Sequence, residues 1–261
     1  MLRAKGRGIE LAYERHGMGS PLVLLHGYPL DHTIWEPVVP LLEEDFDMIL
    51  PDQRGFGGSP ASPTAYQLID LADDLAMLLD ELRIEKAVIA GHSMGGYVAL
   101  AFGHSHPERT LALGLVSSQA AADTPERKVG RFQLAERVEA NGVGEVADSM
   151  PALLTGDAIL QTWLKELILR QSPAGVAEAL RAMAERPDAT PFLAQFDFPV
   201  ISIHGRADRI IPIERAVEMQ VLIRAGGLAE VQTGHMPMME SPQMTAGDLK
   251  RLLISNKPGR S

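Results

Sequence analysis

Residues 87–106 read AVIAGHSMGGYVALAFGHSH, and the reading of this stretch decides the fold. AVIAGHS (87–93) opens on an unbroken apolar run, which suits a strand buried on both faces of a parallel sheet. A helix of small residues, MGGYVALAFGHSH, begins at once after Ser93. The pentapeptide GHSMG (91–95) therefore sets a serine between strand and helix, with a glycine two positions before it and two after. Such a turn forces the serine into a strained backbone conformation and lifts its hydroxyl above the sheet edge. The helix N-terminus beneath adds positive potential for a developing oxyanion. GHSHP (103–107) provides a control: Pro107 stands where the second glycine should be and no strand precedes it, so it is set aside.

Working outward, strand and helix alternate. PLVLLHG (21–27), DMILPD (47–52) and LALGLVSS (111–118) read as further buried strands, and Ile9, Leu11 and Tyr13 alternate with polar residues as an edge strand would. Residues 31–44 read as one helix, and residues 66–82 carry the apolar three-and-four spacing of an amphipathic helix. From 119 to about 195 no strand is legible, and Pro125, Pro151, Pro173, Pro187 and Pro191 punctuate helical segments. PVISIHG (199–205) then resumes the strands, a helix fits 212–224, AEVQTGH (229–235) reads as the last strand, and a helix runs to about 254 before a frayed NKPGR tail. Alternating elements argue for a mostly parallel sheet covered by helices, with a helical insertion.

The 261 residues suffice for one large domain with a modest insertion, and a composition of 46% apolar and 22% charged residues can bury a substantial core. Thirty-four acidic against 24 basic residues give a net charge of −10, which offers nothing to attract nucleic acid or an anionic membrane. No apolar run approaches the roughly 18 residues of a membrane span and no signal-peptide block follows the basic start, so the expected location is cytoplasmic. The chain has no cysteine, which excludes disulfides, a thiolate nucleophile and thiolate metal centres.

A serine hydroxyl needs a positioned base. His235, in TGHMP at the end of the last strand, falls where loops gather at the carboxyl edge of such a sheet; the other histidines lie in a turn, on helices, within strands or at their ends, or beside Ser93. The base in turn needs an acid. Asp208, in HGRADRIIP after the 199–205 strand, lies in the same row of loops, whereas SSQAAAD after the 111–118 strand offers no acid until Asp123. Backbone N–H groups of Met94 and of Tyr28, in HGYP (26–29), are the candidate oxyanion donors.

LLHGYPLDHTIW, DQRGFGGS, GHSMGG, HGRADRIIP and TGHMPMMESP, in this order, resemble the α/β-hydrolase superfamily over essentially the whole chain. The resemblance implies an α/β fold with a mostly parallel eight-stranded sheet flanked by helices, the first strand antiparallel, and a small helical cap inserted after the sixth. Residues 1–118 and 197–261 would form the core domain and 119–196 the cap. Ser93, Asp208 and His235 would be the catalytic triad, Tyr28 and Met94 the oxyanion hole, with Asp52 and Arg54 structural. Relatives that open epoxides or displace halide carry an aspartate at the nucleophile position, so Ser93 points instead to small carboxylesterases and enol-lactonases. Carbon–carbon bond hydrolases and perhydrolases share the triad and stay open, as does a hydrolase-like receptor that binds without turnover. A small ester-type substrate is the expected partner, with no cofactor and no metal. Trp35, Met150, Leu154, Trp163 and Met236, with Leu153, Leu167 and Met183, are candidates to line an apolar acyl pocket. No charged residue of the insertion stands out as an anchor for a substrate carboxylate, which favours neutral esters.

Overall fold

Eight strands form one sheet in the computed structural model, which describes residues 1–6 and 8–255. They are β1 (Leu2–Gly6), β2 (Ile9–His16), β3 (Ser20–Leu25), β4 (Phe46–Pro51), β5 (Ala87–His92), β6 (Thr110–Val116), β7 (Val200–Gly205) and β8 (Gly226–Val231). Their order is β1-β2-β4-β3-β5-β6-β7-β8. β5 lies at the centre, Leu22 of β3 opposite Val88 on one side and Leu113 of β6 opposite Ile89 on the other. All six residues of β5 and of β7 are buried, as strands covered on both faces of a parallel sheet are.

Two expectations about the strands need correction. β2 pairs antiparallel with both β1 and β4, so the reversed strand is the second, and β1 forms the edge outside it. β1 went unread because LRAKG buries one side chain fully, Ala4, and shows no apolar pattern. At the other edge β8 starts at Gly226, not Ala229, and has ended before His235. Gly226 adopts φ 128° against the Val200 carbonyl, a close approach where a Cβ would collide; residues that look like strand breakers here start the strand.

The helices are α1 (Val39–Leu42), α2 (Leu68–Glu81), α3 (Met94–Ser105), α4 (Pro125–Asn141), α5 (Gly144–Ser149), α6 (Pro151–Leu154), α7 (Ala158–Leu169), α8 (Pro173–Glu185), α9 (Thr190–Leu193), α10 (Glu214–Leu222), α11 (Pro237–Glu240) and α12 (Pro242–Ser255). The helix expected over 31–44 is instead a 3-10 turn, His32–Val38, followed by α1; Pro37 and Pro40 lack the N–H groups a continuous helix needs there. Side chains start the longer helices: Thr124 accepts from the Arg127 amide at 3.3 Å, and Asp157 from Ile159 and Leu160 at 2.8 and 3.0 Å.

Adjacent residues of β6 show how the sheet is sandwiched. The Leu113 side chain meets Gly103 of α3, while the face at Gly114 meets Leu249 and Leu252 of α12. Because successive strand residues face opposite sides, α3 and α12 cover opposite faces. α4 to α9 all lie between β6 and β7, in the stretch where no strand is legible. Among the described residues no helix is long and apolar enough to cross a membrane. The tail NKPGR lies outside the described residues.

Candidate active site

Ser93 stands between β5 and α3 at φ 51° and ψ −110°, a conformation that costs on the order of 1–3 kcal/mol for a residue other than glycine. Its neighbours hold it there. The Ser93 amide donates to the Val116 carbonyl at 2.9 Å, and the Ser118 hydroxyl donates to the Ser93 carbonyl at 2.9 Å. The glycines are steric necessities: a Cβ on Gly91 would strike the Gly95 carbonyl, and one on Gly95 would lie 2.5 Å from the Leu25 carbonyl oxygen. α3 can therefore approach β3 and β5 closely enough to make so sharp a turn.

His235 is pinned at three points. Its Nδ1–H donates to Asp208 Oδ2 at 2.6 Å, its amide to the Leu154 carbonyl at 2.9 Å, and its own carbonyl accepts from His92 Nε2 at 2.8 Å. His92 is the residue before Ser93, so this last bond ties the loop after β8 to the turn after β5. Burial holds the His92 ring well below its ordinary pKa, which keeps it neutral with Nε2–H as the donor. With Nδ1 engaged by a carboxylate, His235 leaves Nε2 as the acceptor, and that atom is buried with no hydrogen-bond partner.

Asp208 caps its own loop. Oδ1 accepts from the amides of Ile210 and Ile211, each at 2.9 Å, leaving Oδ2 for His235. Burial opposes ionisation of this carboxyl, but the His235 ring and the two amides outweigh it and hold its pKa below the ordinary value. The amides of Tyr28 and Met94 make no hydrogen bond among the described residues; Met94 opens α3, where an N–H has no partner within its helix.

Ser93 opens into a cavity of about 350 Å³. The core contributes Tyr28, Tyr97 and Ile210; α4 contributes Arg127, Gly130, Arg131 and Leu134; Met150, Leu153, Leu180 and Met183 come from α5 to α8 and their junctions. Of the expected lining residues, Met150 is there, as are Leu153 and Met183, but five are not. Trp35, Leu154 and Met236 are wholly buried in the core, where they pack and brace the site. Trp163 lines a separate surface groove with Thr33, Glu36 and Met239. Leu167 is also a core residue.

Reading the sequence did not single out Arg127 and Arg131, two charged residues of the insertion that line the cavity. PERKVGRFQL (125–134) is polar enough to pass for a solvated helix. A usable signal was present, because 127, 130, 131 and 134 follow the i, i+3, i+4, i+7 rhythm of one helix face. The residues read as structural behave so: Arg54 forks onto Asp74, Nε to Oδ2 at 2.6 Å, and Asp52 accepts from His32 Nδ1 and the Gly58 amide at 2.8 Å each. Asp31, His32 and Asp52 lie close enough to share a metal ion, yet His32 and Asp52 already bond each other and Asp31 accepts from the Thr33 amide at 3.1 Å.

Comparison with known proteins agrees with this architecture. An esterase from Thermogutta terrifontis, solved with malate bound, superposes with a TM-score of 0.93 at 35% identity, over 98% of this chain and 99% of that one. The 3-oxoadipate enol-lactonase 1 of Acinetobacter baylyi is 30% identical over 85% of this chain and 84% of its own length. The pimeloyl-[acyl-carrier protein] methyl ester esterase of Aeromonas hydrophila is 30% identical over 78% and 83%. The model of the alpha/beta hydrolase fold family matches residues 20–242, so strands β3 to β8 and the loops that carry Tyr28, Ser93, Asp208 and His235 sit inside the matched region, and the chain belongs to that family.

Proposed function

We propose that the protein hydrolyses carboxylic esters through an acyl-enzyme, with Ser93 as nucleophile, His235 as general base and then acid, and Asp208 as the carboxylate that orients His235. The observation that carries this reading is a histidine fixed by Asp208 at Nδ1 (2.6 Å), buried and unpartnered at Nε2, and tied by its carbonyl to the residue before a strained serine. In the reaction Ser93 Oγ attacks the carbonyl as Nε2 takes its proton. The Met94 and Tyr28 amides stabilise the oxyanion, the alcohol leaves with the proton from Nε2, and water releases the acid by the same steps. Residues 119–196 act as the cap that shapes the acyl site over the core formed by 1–118 and 197–261. Its substrate is a small molecule met in the cytoplasm.

A lactone is the second reading, since a cyclic ester asks nothing different of these residues and an enol-lactonase is among the 30%-identical relatives. The test is turnover of p-nitrophenyl acetate, butyrate and octanoate by the wild type and Ser93→Ala. Loss of several orders of magnitude in kcat in the variant is expected. Equal activity in both proteins, or a wild type inert toward esters and lactones alike, overturns the proposal.

A further inference from the structure

The charge around the cavity is out of keeping with the chain. The protein carries a net charge of −10, yet the side chains lining the cavity at Ser93 include two guanidinium groups, Arg127 and Arg131, and no carboxylate. Behind them stands one acid. The Asp123 side chain is wholly buried, with Arg131 Nε at 2.5 Å, Arg186 Nη1 at 2.9 Å and Arg127 Nε at 3.5 Å. Three cations therefore share one anion, and the surplus faces the cavity. Burial works against ionisation of Asp123, but Arg131 and Arg186 outweigh it, so this carboxylate stays charged and holds the guanidinium groups in place.

The donors of the two lining arginines are not used up. The Arg127 side chain makes no hydrogen bond among the described residues beyond its 3.5 Å approach to Asp123. Arg131 Nη1 points at Met183 Sδ at 3.5 Å, a weak acceptor. Tyr28 lines the same cavity and is 5% exposed, and its hydroxyl is buried nearby with no hydrogen-bond partner. Burial pushes its pKa up, so it remains a protonated donor at any working pH. Unpartnered buried donors beside uncompensated cations are costly unless something accepts from them.

We propose that this cavity takes substrates carrying a free carboxylate as well as the ester bond, held by Arg127 and Arg131. The proposal rests on the serine-hydrolase reading for where the bond is broken, but the recognition itself does not depend on turnover. Leu134, Met150, Leu180 and Met183 supply an apolar wall for the carbon chain between the two groups. A monoester of a short dicarboxylic acid, or a lactone with an acidic side arm, has this chemistry. Arg suits the task because its planar fork can bind a carboxylate through two parallel hydrogen bonds.

The experiment compares kcat/KM for monomethyl and dimethyl esters of succinate and glutarate in the wild type, Arg127→Met, Arg131→Lys and Arg131→Met. The wild type should prefer the monoanion by about tenfold or more, and the preference should fall with added salt. Each methionine variant should lose about tenfold more on the monoester than on the diester, with Arg131→Lys keeping part of the preference. Arg131 braces buried Asp123, so a poorly folded Arg131→Met leaves Arg127→Met, whose partner is more distant, to decide. In parallel, calorimetry on Ser93→Ala should show glutarate binding and no binding of glutaramide. A wild type that favours the diester, or variants that lose equally on both esters, overturns the proposal even where hydrolysis by Ser93 stands. Glutarate binding without hydrolysis of any ester would instead uphold the anion site and overturn the hydrolase reading. Failure to bind glutarate, together with inertness toward every ester, overturns both.

Discussion

The sheet edge and the helical insertion meet at the cavity beside Ser93 and hold their side chains by different means. At the edge, main-chain hydrogen bonds do the holding: Ser93 is fixed through its amide and carbonyl, Asp208 through the Ile210 and Ile211 amides, and His235 through its amide and carbonyl as well as its ring. In the insertion, side chains hold side chains. Arg131 rests on Asp123, and Arg181 of α8 ties that helix to Glu139 of α4 at 2.6 Å. Geometry set by the backbone tolerates little substitution and serves any substrate that reaches it. Geometry set by packed side chains can change residue by residue, and what it changes is which substrate fits.

Asp208→Asn is the sharpest way to break that contrast. The Oδ1 cap on Ile210 and Ile211 survives in an asparagine, so the loop should stay in place. The amide, however, can donate to His235 Nδ1 and turn the ring to the wrong tautomer. A fall in kcat of about 10⁴-fold is expected, on the precedent of serine-protease triads, and the same factor should appear for acetate, octanoate and charged esters alike. A loss that varied strongly with the substrate would show that the edge also selects, and the comparison would fail.

Legibility followed the same divide. The run AVIA, the glycines at 91 and 95 and the change of period after Ser93 are local consequences of one backbone turn, so a short window of sequence carries them. Asp208 and His235 were found because strands of a parallel sheet end along one edge, which places the following loops together whatever their residues. The lining of the cavity obeys no such rule. Trp35 and Met236 sit close to Tyr28 and His235 in sequence but turn into the core, and Trp163 lies on a helix whose inward face is Leu164, Leu167 and Ile168. Arg127 and Arg131 were passed over because a helix that covers a cavity can put polar side chains on its inner face, which makes it look like a solvated one. The two misread strands failed at the sheet margins, where burial is partial in β1 and glycine serves a close approach in β8.

Met150→Ala tests the insertion's half of the contrast. Met150 joins α5 to α6 and its half-buried side chain lines the cavity. Shortening it adds room for roughly a few methylene groups, each worth about tenfold or more in discrimination when it fits. The ratio of kcat/KM for p-nitrophenyl octanoate to that for acetate should rise by about tenfold. An unchanged ratio with both rates reduced would mean that Met150 supports the edge and does not size the acyl site.

The smallest effect is expected where the two regions meet. Gln171, just past α7, accepts from the Gly57 amide at 2.9 Å and donates to Asp31 Oδ2 at 3.3 Å, stapling the insertion to the loops around Asp52. Next to Asp31, His32 bonds Asp52 through Nδ1 at 2.8 Å and lies 3.8 Å from Glu14. Burial would lower the His32 pKa, but Asp52, Asp31 and Glu14 outweigh it and hold it above the ordinary 6.5, while Asp52 itself is held low and stays ionised. A histidine whose folded pKa is raised binds its proton more tightly in the folded state. Its contribution is therefore complete below about pH 6.5 and is lost as pH climbs through the folded value. Thermal melts of wild type and His32→Gln should differ by about 2–4 °C at pH 6, the shift that 1 kcal/mol produces in a domain of this size. The gap should narrow by pH 9. A gap that holds constant over this range would mean that His32 contributes packing and a neutral hydrogen bond, and that the junction is indifferent to its charge.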